Sequence, residues 1–282
     1  MNDDIRIDEY LGTRVHVVAA RQNRPITTST DNDCPFCVGG REAPEPYDVR
    51  AFVNRWPSIE NGECEVVLYS PQHNATFASL GSEGARKVIN VWAERTTALR
   101  ALDNVEYVVV FENRGAEIGA TISHPHGQIY AFPHVPSRPE RLLRAGWSPD
   151  LAPSDRLVAE NDHFIAYAQL ASVHPVSLIV APRVRTADIP SLSPEQRDAL
   201  AAIMVDVFTR LDQLFEAPLP YMMWFLQAPA HPTSDVWMNL EIVSPWRAPH
   251  LQRYIAGVEI ATDEYFNPVD PADLAARLRA LS

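Results

Sequence analysis

The chain has 282 residues, 46% of them hydrophobic, which is ample for a core and more than one ordinary domain needs. Twenty-four basic against 36 acidic residues leave a formal charge of -12 with no basic run, which argues against nucleic acid or a membrane surface as partner. No basic stretch precedes an apolar one at the start and no run of about 18 apolar residues occurs, so a cytoplasmic protein is expected.

Three cysteines, Cys34, Cys37 and Cys64, are too few for a disulfide framework. The first two form CPFC, whose C-x-x-C spacing lets two thiolates reach one metal from a tight turn; glycines at 39 and 40 make it read as a loop knuckle rather than a redox motif. Tetrahedral zinc needs two more ligands. His73, just past a strand that ends at Pro71, and His124 are on offer, and such a set leaves no open position, so one structural Zn2+ is expected; a metal-free reduced pair is the alternative.

Residues 66–71 read as a buried strand closed by proline, and Ser82-Glu83 opens a helical pattern through Val88, Val91 and Trp92. Strands are expected over 105–112 and 127–132. Between them lies SHPHGQIY (123–130). In an extended chain His124, His126 and Gln128 share one face, with Ile129 packed behind. Pro125 stiffens the step between the histidines, and Gly127 is expected to let a bulky phosphate approach the backbone. A neutral imidazole attacks activated phosphorus and passes the group on, which casts His126 as a nucleophile. Gln128 can donate a hydrogen bond to a phosphoryl oxygen but cannot supply a proton, which favours transfer over hydrolysis.

The proline-bearing stretch 136–155 reads as a connection. Beyond it the pattern returns at an offset of about 111 residues: a strand over 178–182, a helix opened by Ser193-Pro194-Glu195, then strands over 221–226 and 237–243. Each half is therefore an α+β unit with antiparallel strands and a packed helix, divided as 1–150 and 151–282. Sliding the halves together at Pro133 and Pro245 sets Val236 opposite His124 and Met238 opposite His126, so the first half is expected to carry the chemistry and the second to serve as scaffold.

The segment FENRGAEIGATISHPHGQIYAFP (111–133), with CPFC, SPQH (70–73), FVNRWP (52–57) and RQNRP (21–25), resembles galactose-1-phosphate uridylyltransferases of the histidine-triad superfamily. The resemblance implies two tandem histidine-triad-like halves and a homodimer with pockets completed across the interface. It also implies ping-pong transfer of a uridylyl group, through His126, from a nucleotide sugar such as UDP-glucose to a hexose 1-phosphate such as galactose 1-phosphate. It makes Gln128 the partner of the transferred phosphoryl and Cys34, Cys37, His73 and His124 the zinc ligands. Arg21 and Arg24 then fall near phosphate, Asn54 in the nucleotide pocket, Asn113, Gly119 and Thr121 near the diphosphate, and Arg253 and Glu259 in a sugar-binding segment. The chain departs from the family where Arg55, Val258 and Tyr265 stand, positions that bear on base and sugar choice. The second half offers no histidines for a second metal, so none is expected. Competing readings are a nucleotide-sugar phosphorylase or dinucleotide hydrolase, and a zinc-stabilised nucleotide-binding module without turnover.

Overall fold

The computed structural model describes residues 4–18, 33–59, 63–232 and 235–281. A short hairpin of β1 (Asp4–Ile7) and β2 (Arg14–Val17) precedes the main body. The first half holds β3 (Arg50–Val53), β4 (Cys64–Leu68), α1 (Gly81–Arg100), β5 (Tyr107–Arg114), β6 (His126–Phe132) and α2 (Ser137–Arg144). The second holds β7 (Leu157–Glu160), β8 (Phe164–Ala168), β9 (Val176–Pro182), α3 (Pro194–Gln213), β10 (Tyr221–Leu226) and β11 (Asn239–Ser244). A hairpin of β12 (Trp246–Ala248) and β13 (Leu251–Gln252), then α4 (Gly257–Thr262) and α5 (Pro271–Arg279), complete the chain. The α+β reading holds. No helix among the described residues is long and apolar enough to cross a membrane.

Where the sequence suggested separate sheets, the structure has one, antiparallel throughout, in the order β3-β4-β6-β5-β10-β11-β9-β8-β7. β5 pairs with β10, so two edges that would otherwise present open backbone groups satisfy each other. The order of roles is symmetric about that seam: the strand before each long helix (β4, β9) lies third from it, and the strand after each helix (β5, β10) lies on it.

Both long helices pack on one face. α1 buries Val88, Ile89, Trp92, Thr96 and Leu99, and α3 buries Leu200, Met204, Val207, Phe208 and Leu211, each stripe at three-to-four-residue spacing. Arg86 meets Asp198 and Arg197 meets Asn90, so the helices run antiparallel. α3 starts as its sequence signals: Ser193 accepts from the Gln196 amide while Gln196 caps in return, with Pro194 at the first helical position. Trp92 contacts both halves, stacking on Phe77 and meeting Phe225 edge-on at 5.5 Å. Its removal would cost about 3–5 kcal/mol.

Two expectations need correction. The 136–155 connection contains helix α2, which the prolines disguised; Pro139 lies in its first turn, where the ring clashes with no carbonyl. The alignment of Met238 with His126 is out of register by an odd step. Met238, Leu240 and Ile242 point into the core, while Glu241 and Val243 take the outward face that His126 and Gln128 take on β6. A one-residue slip moves every side chain to the other face, and the shared prolines hid it.

Candidate active site and metal cluster

The outward face of β6 alternates His126, Gln128, Tyr130 and Phe132 with buried Gly127, Ile129 and Ala131. Against its start folds the C-x-x-C knuckle, closed by Cys37 N–H to Cys34 O at 3.3 Å, Gly40 N–H to Cys37 O at 2.8 Å and Glu42 N–H to Pro35 O at 2.9 Å. A Cβ on Gly40 would sit 2.6–2.8 Å from three of the knuckle's carbonyl oxygens, so only glycine closes this turn.

Cys34, Cys37, His73 and His124 bring their ligand atoms within 4.8 Å of one another. Cys37 Sγ lies 3.4 Å from His73 Nδ1 and 3.6 Å from His124 Nδ1, close to the spacing of roughly 3.3–3.8 Å that a single tetrahedral ion imposes. His124 Nε2 lies 2.8 Å from the Ser70 carbonyl oxygen, which can only accept. The proton therefore sits on Nε2 and the Nδ1 lone pair turns toward the thiols, as metal ligation requires. Tyr47 hydroxyl, donating to Phe36 O at 2.7 Å, also lies 2.9 Å from that Nε2. Burial lowers His124 to about 4 and keeps it neutral, while burial and the nearby thiols raise the Tyr47 phenol. The four residues can hold a metal ion.

His126 opens β6. Its Nδ1 donates to the His124 carbonyl at 2.7 Å, which leaves the lone pair on Nε2, and Phe36 packs edge-on against the ring at 5.1 Å. Gln128 Oε1 accepts from Asn54 Nδ2 at 3.5 Å and from Tyr130 hydroxyl at 3.4 Å, the latter braced by Ser58 Oγ at 3.0 Å. With the amide oxygen so engaged, its NH2 end is the one available to a ligand. His126 lines two clefts. One, of about 130 Å³, also takes in Phe36, Glu42, Asn54, Arg55, Trp56 and Gln128; the other, of about 310 Å³, takes in Asn74, Glu112, Asn113, Thr121 and Ser123. Thr121 and Ile122 border both.

The structure thus gathers His126, Gln128, Asn54, Asn113 and Thr121 around one place. Gly119 lines neither cleft; it ends a 3-10 turn at a φ of +84°, which only glycine adopts freely. Arg253 and Glu259 bind each other away from both clefts, the Glu259 carboxylate also accepting from Ala256 N–H at 2.6 Å and Phe266 N–H at 2.8 Å. Those two amides, ahead of Arg253, lower its pKa. Arg55 turns onto Glu42, Nε to Oε1 at 2.7 Å. Arg21 and Arg24 lie outside the described residues. Gly127 has a different use from the one expected: its missing side chain would project not toward a ligand but into the core, onto Tyr69.

Comparison with known proteins gives the family of the chain. Galactose-1-phosphate uridyl transferase, N-terminal domain, matches residues 56–136, and its C-terminal domain matches 115–262. A galactose-1-phosphate uridylyltransferase of Thermotoga maritima is 33% identical over 98% of both chains. The chain belongs to the galactose-1-phosphate uridylyltransferase family. The uridylyltransferase relative from Streptomyces lividans is 36% identical over 80% of this chain and 70% of its own, and a solved uridylyltransferase superposes with a TM-score of 0.87 at 26% identity over 98% and 97%. An ADP-glucose phosphorylase from Arabidopsis thaliana shares the fold, with a TM-score of 0.78 at 23% identity over 99% and 98% of the chains. As a member of this family the chain is an enzyme of the uridylyltransferase type. The sequence did not mark Tyr47, Phe36, Tyr130 and Ser58, which brace His124, His126 and Gln128: Tyr47 and Ser58 are isolated in the chain, and Phe36 and Tyr130 stand inside the two motifs as apparent packing residues.

Proposed function

We propose that the enzyme moves a uridylyl group from a nucleotide sugar such as UDP-glucose to a hexose 1-phosphate such as galactose 1-phosphate, in two displacements at His126. In the first, His126 Nε2 attacks the α-phosphorus; a P–N bond forms as the P–O bond to the sugar 1-phosphate breaks, and that phosphate leaves already ionised. In the second, an incoming sugar 1-phosphate oxygen attacks the same phosphorus and the imidazole departs. The Nδ1–H bond to the His124 carbonyl fixes the reactive tautomer and supports the positive charge on the uridylylated ring. Gln128 NH2 donates to a non-bridging oxygen as charge builds there, without proton transfer. The observation that carries the reading is the His126 Nδ1 bond to His124 O, with Gln128 beside it and oriented by its own oxygen.

Zinc suits the two-thiol, two-imidazole set, held by Cys34, Cys37, His73 and His124; when bound it supplies folding energy and ties the knuckle to β6. The same reading makes the protein a cytoplasmic homodimer of two duplicated halves, 1–150 with the nucleophile and 151–282 as scaffold.

The test is mass spectrometry after incubation with UDP-glucose alone. A uridylyl adduct on the peptide bearing His126, absent in His126→Ala and discharged by galactose 1-phosphate, is expected. No adduct with any of several nucleotide sugars would overturn the proposal. Discharge by inorganic phosphate or water, but not by a sugar phosphate, would instead identify a phosphorylase or hydrolase.

A further inference from the structure

Tyr69 directly follows β4 and is enclosed, with Phe77 and Trp92 each edge-on to its ring at 5.7 Å. Its main-chain N–H donates to Pro125 O at 3.1 Å. Its hydroxyl occupies the space that a Cβ on residue 127 would need, with the ring's Cζ only 2.9 Å from that point. Residues 125 and 127 flank His126, so one tyrosine meets the chain on both sides of the nucleophile, from the core side.

The hydroxyl end has an anchor. Phe111 pairs with Gln128, which sets the next residue, Glu112, beside Gly127, buried between the core and the larger of the two clefts. Tyr221 donates to Glu112 Oε1 at 2.7 Å, and Arg114 lies over the Tyr221 ring at 5.5 Å. Tyr69 Oη and Glu112 Oε2 are both buried without a well-formed hydrogen bond, and both lie beside Gly127 on its core side. Phenylalanine and leucine would fill this space without desolvating a carboxylate, so packing alone does not account for the pair.

The geometry points to Tyr69 and Glu112 as positioning residues for His126: Tyr69 sets the height of the chain at 125–127, and Glu112, itself held by Tyr221, sets the Tyr69 hydroxyl. The inference rests on His126 being the nucleophile. A displacement of about 1 Å at a reacting atom can cost on the order of a hundredfold in rate, so this support from beneath is felt in the chemistry and not in substrate binding.

Tyr69→Phe, Glu112→Leu and Glu112→Gln separate this role from packing. With UDP-glucose and galactose 1-phosphate, Tyr69→Phe and Glu112→Leu are expected to lower kcat about tenfold or more with KM within about twofold. Glu112→Gln, whose amide oxygen still accepts from Tyr221, is expected to restore most of the rate lost in Glu112→Leu. Long-range 15N–1H spectra of the histidines give a readout independent of turnover. His126 is a single Nδ1–H tautomer in the parent and a mixture in the two damaging variants. Unchanged kcat and tautomer in Tyr69→Phe would overturn the inference, as would a kcat that falls only in proportion to the folded fraction while the tautomer stays single. If Tyr69→Phe does not fold, Tyr221→Phe loosens Glu112 from the other side and the same spectra decide. A parent enzyme that transfers nothing refutes the proposed function, while the tautomer measurement still judges the positioning.

Discussion

The outward faces of β6 and β11 occupy comparable places in the sheet, yet one presents an imidazole and an amide to two clefts and the other holds its carboxylate in an ion pair. On β6, His126 and Gln128 border open clefts and are oriented by Tyr130, Asn54 and the metal knuckle. On β11, Glu241 is 3% exposed and held by Arg138 of α2 at 2.8 Å, the guanidinium lying over Trp224 at 5.1 Å. What a strand position presents thus depends on what the neighbouring chain does to it. The knuckle leaves the β6 side chains reachable, whereas α2 ties the β11 carboxylate into an ion pair at the wall of a cavity of about 590 Å³.

The sharpest way to break that contrast is to remove the metal that the knuckle is proposed to hold. Chelation, or Cys34→Ser, is expected to destabilise the protein by roughly 3 kcal/mol or more, a fall of about 10 °C in Tm, with parallel loss of His126 uridylylation. Elemental analysis and thermal melts check it, and a fully active, equally stable apo-protein would show that the knuckle is not what prepares β6. Next comes Gly127→Ala, whose Cβ meets the Tyr69 ring at 2.9 Å and Phe111 O at 3.1 Å. About 2 kcal/mol is expected from denaturant titration.

A further effect depends on pH. Burial lifts the Glu112 carboxyl to about 7; Tyr221, Arg114 and Tyr69 pull it down, and Asp212 pushes it up. The folded state therefore holds this proton more tightly than the unfolded chain, whose ordinary value is 4.5. Stability from this group is fully present below about 4.5, declines as pH rises to about 7, and is level above that. Glu112→Gln is expected to flatten that decline, gaining on the parent at pH 8 relative to pH 5 in denaturant titrations; parallel curves would refute it. The smallest effect belongs to β11: because Arg138 is half exposed, Glu241→Gln is expected to change stability by less than about 1 kcal/mol. The transfer rate should stay within about twofold, and a large loss would mean that the second half takes part in the reaction.

Much of this was legible in the chain because it is local. Cysteines two residues apart, histidines alternating on a strand, and Ser-Pro-Glu at a helix start each encode their structure within a few residues. The seam between β5 and β10 was not, since no local pattern says which edges of two similar sheets will meet. Nor was the role of Gly127 or Glu112. A glycine in a phosphate-like motif suggests a ligand, and only the fold reveals that Tyr69, 58 positions earlier, needs its space. The odd slip between the halves has the same origin, because matched prolines fix sequence alignment but not which face a strand turns inward.

The seam has a consequence for how the chain is made. Arg114 meets Tyr221, so during synthesis the apolar run YVVVF of β5 stands as an open edge until over a hundred further residues have emerged. Until then it is an open apolar edge on which another chain can pair. A chain stopped at residue 150 is therefore expected to scatter light and precipitate where the full chain stays in solution, and supplying the second half as a separate polypeptide should suppress this if the two can pair. The pairing that completes the sheet would then also be what quiets the nascent first half.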